Sequence, residues 1–480
     1  MKRLLALFCL LALLLPLCAC SSASLATEET KTDEANTAEK EEIKKTDSIV
    51  YPDSFAVGYA RGDITGTPPH PSQSGELTQV HDPLQLTCTA VWDGEKAALI
   101  MTADLLQINR SIHVKLCETL EKKFGIPEER VILSATHTHT GLTLGNDSPA
   151  GIRFLSNFYK VFPVVVEEAL SDLDEVEAAY AGKSRVEEGI TFVRRYLMPD
   201  GTYKTHGDST AVRHETEADR ELRTVRFDRK NKKDVLMVNY QTHHGGAGSV
   251  YPGCISADWV HPFREQAEKK FDCLFAYQNG AEGNINFVSP IPGERKYATF
   301  PETIPSFIKS TGDAVAAEEK MTLGAIKSAS AVTLATVKKD TPERVEQAQA
   351  VSDAGENEEL KETLVKQFGL QSKHEAGAIL KRNKQLGDTE EVPLNCITFG
   401  DIAFAAFPFE QFDTSGKEVR DTSPFKMTFI NSLSGGTYGY MPTLEAFPHG
   451  GYEVAVCPYE PGCAEQFVKE MQKLLNECKK

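Results

Sequence analysis

Apolar residues run unbroken from Leu4 to Leu17, a stretch of 14 preceded by Lys2 and Arg3. Fourteen residues are short for a spanning helix, and a basic start before such a run reads as a secretory signal peptide. Small residues lead into a cysteine in Leu17-Cys18-Ala19-Cys20-Ser21. That pattern is like a bacterial lipobox and makes Cys20 the expected lipidated N-terminus. An ordinary signal peptide with an incidental cysteine is the plainer alternative. Residues 21–48 are Ser, Ala, Thr, Glu and Lys with almost no bulky apolar side chain. Burial cannot offset the ordering entropy of such a segment, so it is expected to be a flexible tether. The expected organisation is a signal peptide over 1–20, a linker over 21–48 and one catalytic domain over 49–480.

Beyond residue 48 the pattern changes to short apolar runs alternating with amphipathic stretches. Val131–Ala135, Val235–Tyr240, Leu274–Gln278 and Ile402–Phe407 are β-type runs. Ser111–Phe124 and Lys160–Leu173 carry helical spacing. Strands interleaved with helices predict an α/β domain with mixed sheets flanked by helices. Residues 302–388 are rich in Ala, Glu, Lys and Gln and are expected to be largely helical. No sequence repeat and no Gly/Pro/Ser-rich linker divides this region, which favours one large unit. No 18-residue apolar run follows the first twenty residues, which argues against a polytopic membrane protein.

Composition narrows the classes. The 480 residues are 41% hydrophobic, 25% charged and 8% aromatic, as in globular domains. The formal net charge is −17, becoming −19 once Lys2 and Arg3 leave with a signal peptide. Such a chain repels phosphate backbones, so no nucleic-acid partner is expected. Eight cysteines follow Cys20, none with C-x-x-C spacing. Outside the cytosol they permit disulfides, Cys457–Cys463 being the nearest local pair; buried free thiols serve equally well.

Candidate chemistry clusters just after the strands. Thr136-His137-Thr138-His139-Thr140-Gly141 follows the 131–135 run. In an extended backbone, positions i and i+2 face the same way, so His137 and His139 can share a pocket. In Thr242-His243-His244 adjacent side chains face opposite sides, so one histidine is expected to enter the site. Glu410 follows the 402–407 run. Ligands in open α/β sheets bind at the carboxyl ends of strands. Two histidines and a carboxylate from three strand ends suit a catalytic zinc site with an open position. No G-x-S-x-G elbow, complete H-E-x-x-H pair or phosphate loop is present.

The order of further motifs resembles the neutral/alkaline, non-lysosomal ceramidase family. They are Phe55-Ala56-Val57-Gly58-Tyr59, His81-Asp82-Pro83-Leu84, Ala103-Asp104-Leu105-Leu106, the 135–141 segment and Arg194-Arg195-Tyr196. Asn239-Tyr240-Gln241-Thr242-His243, Ser256-Ala257-Asp258, Gly283-Asn284-Ile285-Asn286, Phe407-Pro408-Phe409-Glu410 and Tyr438-Gly439-Tyr440-Met441-Pro442-Thr443 continue it. The match spans about residues 52–455. The resemblance implies a zinc ion held by His137, His243, Glu410 and Tyr440. It places His139, Arg194 and Tyr452 around the scissile carbonyl; Asp258 and Asn286 are further candidate substrate contacts.

Three features depart from the family pattern. The family's loop serine falls on Asn286, and its usual Asn before the matched Arg is Val193. The chain is also expected to lack the family's C-terminal immunoglobulin-like domain. The expectation is therefore a zinc-dependent hydrolase of a C–N amide bond, acting on a ceramide-like or other acylated amide. A metallohydrolase of a non-lipid acylated molecule or an ester, and a non-catalytic ligand-binding lipoprotein, are the alternatives. The expected location is outside a bacterial cytoplasm, on a membrane through the Cys20 anchor.

Overall fold

The computed structural model describes residues 49–72, 75–142, 144–145, 148–294, 300–385 and 387–480. The signal-peptide, Cys20 and linker expectations lie outside the described residues. Three topologically alike units follow one another along the chain. The first is β1 (Ala56–Asp63), β2 (Gln85–Trp92), β3 (Ala97–Ala103), helix α1 (Arg110–Phe124) and β4 (Val131–Ala135). Helix α2 (Pro149–Ser171) leads to the second: β5 (Asp174–Arg185), β6 (Glu221–Arg229), β7 (Val235–Tyr240), α3 (Val260–Phe271) and β8 (Leu274–Asn279). Helix α4 (Ile304–Ala316) and the short β9 (Glu319–Met321) lead to the third, which starts with β10 (Ile326–Thr336). It continues through α5 (Pro342–Asp353), α6 (Glu358–Gln367), α7 (Lys373–Lys384), β11 (Thr389–Phe399), β12 (Ile402–Ala406), α8 (Asp413–Thr422) and β13 (Met427–Asn431). Helix α9 (Cys463–Lys479) follows.

In each unit three strands meander antiparallel, and a helical crossover then lays a fourth parallel to the third. The absence of repeats at the level of residues thus conceals a repeat of topology. The first two units share one sheet in the order β8-β7-β6-β5-β1-β2-β3-β4, with β9 beside β5. The third forms a second sheet, β10-β11-β12-β13.

Period-two alternation sorts the strand residues into layers. On one face of the large sheet, Leu86, Leu99, Met101 and Leu133 meet Leu116 of α1 and Phe158 and Phe162 of α2. On the other half of that face, Leu236, Val238 and Phe275 meet Phe263 of α3 and Phe307 of α4. Val57, Ile100, Ile132, Met237 and Ala276 point the opposite way, against Ile397, Phe399, Ile402 and Phe404 of the second sheet. Ala403 and Ala405 then face Phe467, Met471 and Leu475 of α9. The result is a helix–sheet–sheet–helix sandwich, the expected α/β class with mixed sheets. Glycine makes two of these contacts possible. A Cβ on Gly58 of β1 would lie 2.0 Å from the Ala169 carbonyl oxygen of α2, and one on Gly182 of β5 would lie 1.9 Å from that of Ala314 in α4.

Two expectations need correction, and one open alternative is decided. The helix expected over 160–173 begins at Pro149, because Ser148 caps it by accepting a bond from the Gly151 amide. The largely helical 302–388 region contains the eleven-residue β10. This strand borders the second sheet and leaves Val332 and Leu334 exposed, so its pattern has no clean apolar face. Only α5, α6 and α7 within the excursion after β10 are helical, around a small core of Ala348, Val351, Ala376 and Ile379. Finally, all eight cysteines after Cys20 are free thiols, seven of them buried, and Cys457 and Cys463 are not joined.

Candidate metal centre

The parallel strands of the three units bring their carboxyl ends to one place. The Ser432 amide donates to the Asn279 carbonyl, and the Ala135 amide to that of Leu433, tying the ends of β4, β8 and β13 together. Beside this knot opens a cavity of about 840 Å³, lined by His137, His139, Arg194, His243, Asn286, Glu410, Tyr440 and Tyr452 among others. The expected metal and catalytic residues all reach this cavity. Asp258 does not. It takes a positive φ of 57° and its carboxylate accepts the amides of Ala247 and Trp259, so it shapes the backbone ahead of α3.

His137 sits immediately past β4 in the left-handed region, with φ 70°. The backbone therefore breaks from the extended course that i, i+2 spacing assumed, and a turn over residues 138–141 follows. Both rings still enter the cavity, edge to face at 88°. A non-glycine residue held there costs about 1–3 kcal/mol and persists where the surroundings over-determine it. Here the His137 Nδ1–H donates to the Leu106 carbonyl across 2.9 Å. His243 Nδ1–H likewise donates to the Glu282 carbonyl at 3.3 Å. A carbonyl can only accept, so each ring turns Nε2 inward. His244 points away and stacks on Trp259, as adjacent positions require.

The inward atoms converge. His137 Nε2 lies 3.1 Å from His243 Nε2, 3.2 Å from His139 Nε2 and 3.2 Å from Glu410 Oε2. Tyr440 Oη lies 3.4 Å from His243 Nε2. Tetrahedral zinc with bonds of about 2.0–2.1 Å separates its ligand atoms by about 3.3 Å. The donor types and spacings therefore fit that ion. Glu410 pairs with Tyr440 on short parallel strands, Glu410–Gln411 with Tyr440–Met441, which fixes their register.

Electrostatics sharpen the picture. Burial pushes His243 well below its usual range, and Arg194, His137 and His139 push it further. Burial and His137 bring His139 down to about 3. Burial disfavours charge on His137 as well, but Glu410 beside it outweighs this and raises its pKa. Burial alone would raise Glu410, yet His137 holds it below the ordinary carboxylate range. Neutral imidazoles at His139 and His243 and a carboxylate at Glu410 thus converge beside His137, a donor set suited to a cation.

Arg194 forms the opposite wall. Its Nη2 donates to Tyr440 Oη at 3.0 Å, and its Nε to Glu453 Oε1 at 2.8 Å. The Tyr452 ring lies 5.7 Å from that of Tyr440, and burial lifts its hydroxyl pKa to about 12. Asn286 Oδ1 accepts the Phe287 amide, which shapes the loop under the cavity.

Three further residues escaped the motif reading. His206 lines the cavity with φ 66°, and burial and Arg194 bring its pKa down to about 4. Glu453, fully buried, holds Arg194. Glu282, one residue before the quoted Gly283-Asn284-Ile285-Asn286 motif, is fully buried beside His137 and Glu410. Burial pushes its carboxyl up to about 8.

No protein-family model matches the chain, and no curated protein matches it in sequence. Solved structures do share its fold. A ceramidase complexed with C2 is similar with a TM-score of 0.66 at 14% identity, covering 88% of this chain and 75% of that one. The neutral ceramidase from Pseudomonas aeruginosa is similar with a TM-score of 0.64 at 15% identity, covering 88% and 74%.

Proposed function

We propose that this chain, which has the fold of the neutral ceramidases, is a zinc-dependent hydrolase that cleaves the C–N amide bond of an N-acylated substrate. The observation that carries the reading is the approach of His137 and His243. Their Nε2 atoms face each other at 3.1 Å, each ring oriented by a carbonyl at Nδ1, with Glu410 alongside.

In this reading His137, His243, Glu410 and Tyr440 hold the zinc ion. When bound, zinc supplies Lewis acidity, polarising a carbonyl and lowering the pKa of water to about 7. The chain's own residues do the rest. His139, neutral at physiological pH, takes up and returns a proton at Nε2. Arg194 and Tyr452 donate hydrogen bonds to the carbonyl oxygen as negative charge builds on it. Leu106, Ile190, Val250, Phe287 and Val288 give the cavity an apolar wall for an acyl chain. Asn286 offers the substrate a hydrogen-bonding amide.

The test is metal content followed by turnover. The purified protein is expected to carry about one zinc, and His137→Ala, His243→Ala and Glu410→Ala each to lose it. A full metal complement in all three variants would sink the assignment. A panel of N-acyl amides and esters then fixes the substrate, and a metal-loaded protein inert on all of them supports a binding role. We also propose membrane attachment through acylated Cys20. Unchanged fatty-acid labelling of Cys20→Ala would count against it.

A further inference from the structure

Glu282 ends its side chain beside His137 and Glu410. Its side chain is 0% exposed, and neither carboxylate oxygen has a hydrogen-bond partner. Glu410 Oε2 lies 3.2 Å from His137 Nε2 and 3.7 Å from His243 Nε2. Donor atoms of His137, Glu282 and Glu410 all lie within 4.8 Å of one another. An isolated ionised carboxylate costs several kcal/mol to bury, and two side by side repel. Such a pair is stable when a cation lies between its members.

The local backbone allows Glu282 no retreat. A Cβ on Gly283 would lie 2.4 Å from the Glu410 carbonyl oxygen, so the loop is pressed against the strand that carries Glu410. A Cβ on Gly280 would lie 2.9 Å from the Gln241 side chain, pinning the loop from the other end. The Glu282 carbonyl meanwhile accepts the His243 Nδ1–H. One residue thus orients one ligand with its backbone and faces two others with its side chain.

From this we propose that Glu282 is a further protein ligand of the metal centre. Resting on the metal reading above, this second carboxylate changes the charge of the centre. Two carboxylates with neutral imidazoles would offset a dication before any substrate enters, where Glu410 alone would leave a net positive charge. The carboxylate Glu282 would also raise the share of oxygen donors, which extends the centre's tolerance toward harder divalent ions such as manganese.

The experiment compares the full-length wild type with Glu282→Gln, an isostere that keeps the volume and drops the charge. Zinc affinity is measured by competition with a chelating dye, and coordination by the visible spectrum of the cobalt(II)-loaded proteins. Glu282→Gln is expected to bind zinc about 10- to 100-fold more weakly and to shift the cobalt bands. Equal affinity and an identical cobalt spectrum would overturn the ligand role while leaving the metal centre intact. A wild type that takes up no metal would overturn both readings. If Glu282→Gln does not fold, Glu282→Asp is used. It keeps the charge but shortens the reach, and an unchanged cobalt spectrum there likewise rejects the proposal.

Discussion

Arg194 is held by Glu453 through a 2.8 Å bond from Nε to Oε1, with both side chains buried. The other oxygen of Glu453 accepts from Arg195 Nη1 at 3.1 Å and from Thr205 Oγ1 at 2.6 Å. Removing the carboxylate strands a buried guanidinium, a loss typically worth about 3–5 kcal/mol. Glu453→Ala is therefore expected to lower the urea midpoint sharply and Glu453→Gln to lower it less. Equal midpoints for Glu453→Ala and the wild type would show that Arg195 and its partner Glu215 hold this wall unaided.

Tyr452→Phe removes one hydroxyl without emptying space. If that hydroxyl stabilises the developing oxyanion, kcat falls about 10²- to 10³-fold with KM and zinc content little changed. Full kcat on a genuine substrate would reduce Tyr452 to a packing residue against Tyr440.

By the ceramidase resemblance Asn286 stands where a loop serine would be, and its amide does not ionise. Hydrolysis is expected to proceed by direct attack of water, with no acyl-enzyme. Pre-steady-state traces should show no burst of amine, and fluorophosphonates should not inhibit, whereas chelators should. A stoichiometric burst with a trapped acyl adduct would overturn this.

Acid stability has a local source away from the cavity. Glu128 accepts from His113 and from Arg110, which bring its carboxyl down to about 2 from an ordinary 4.5. A depressed carboxyl contributes stability above its unfolded pKa and loses it as pH falls through the folded one. The Tm gap between wild type and Glu128→Gln should be full above pH 4.5 and should narrow toward pH 2. A gap independent of pH would place the effect in packing.

The buried strands were legible because their burial on both faces leaves apolar runs. Val131–Ala135 and Val235–Tyr240 have the bounds their composition suggests. β10 was not, since a border strand with Val332 and Leu334 in solvent carries no such run. In the cavity, residues inside motifs could be named in advance, because histidines after strands are chemically conspicuous. Glu282 and Glu453 could not. A glutamate in a sequence is usually a solvated charge, and only the packing of Gly283 on Glu410, or of Arg194 and Arg195 on Glu453, makes these two exceptional. The left-handed conformation of His137 was equally hidden, since nothing in Thr-His-Thr-His announces a positive φ.

The three units have unequal ends. Away from the cavity their strands are joined by tight hairpins, after β2, β6 and β11. At the cavity end each unit instead makes one long excursion, over residues 64–84, 186–220 and 337–388. The second carries Ile190, Arg194 and His206 into the cavity wall, and the third adds Gln371, Ser372 and His374 at its mouth. His137, His243 and Glu410 come from the strand ends, outside these excursions. The third excursion thus shares the cavity without supplying any of the converging donors. Trading the 337–388 excursion for another of different length would reshape that side of the cavity, and the histidines and Glu410 would remain in register.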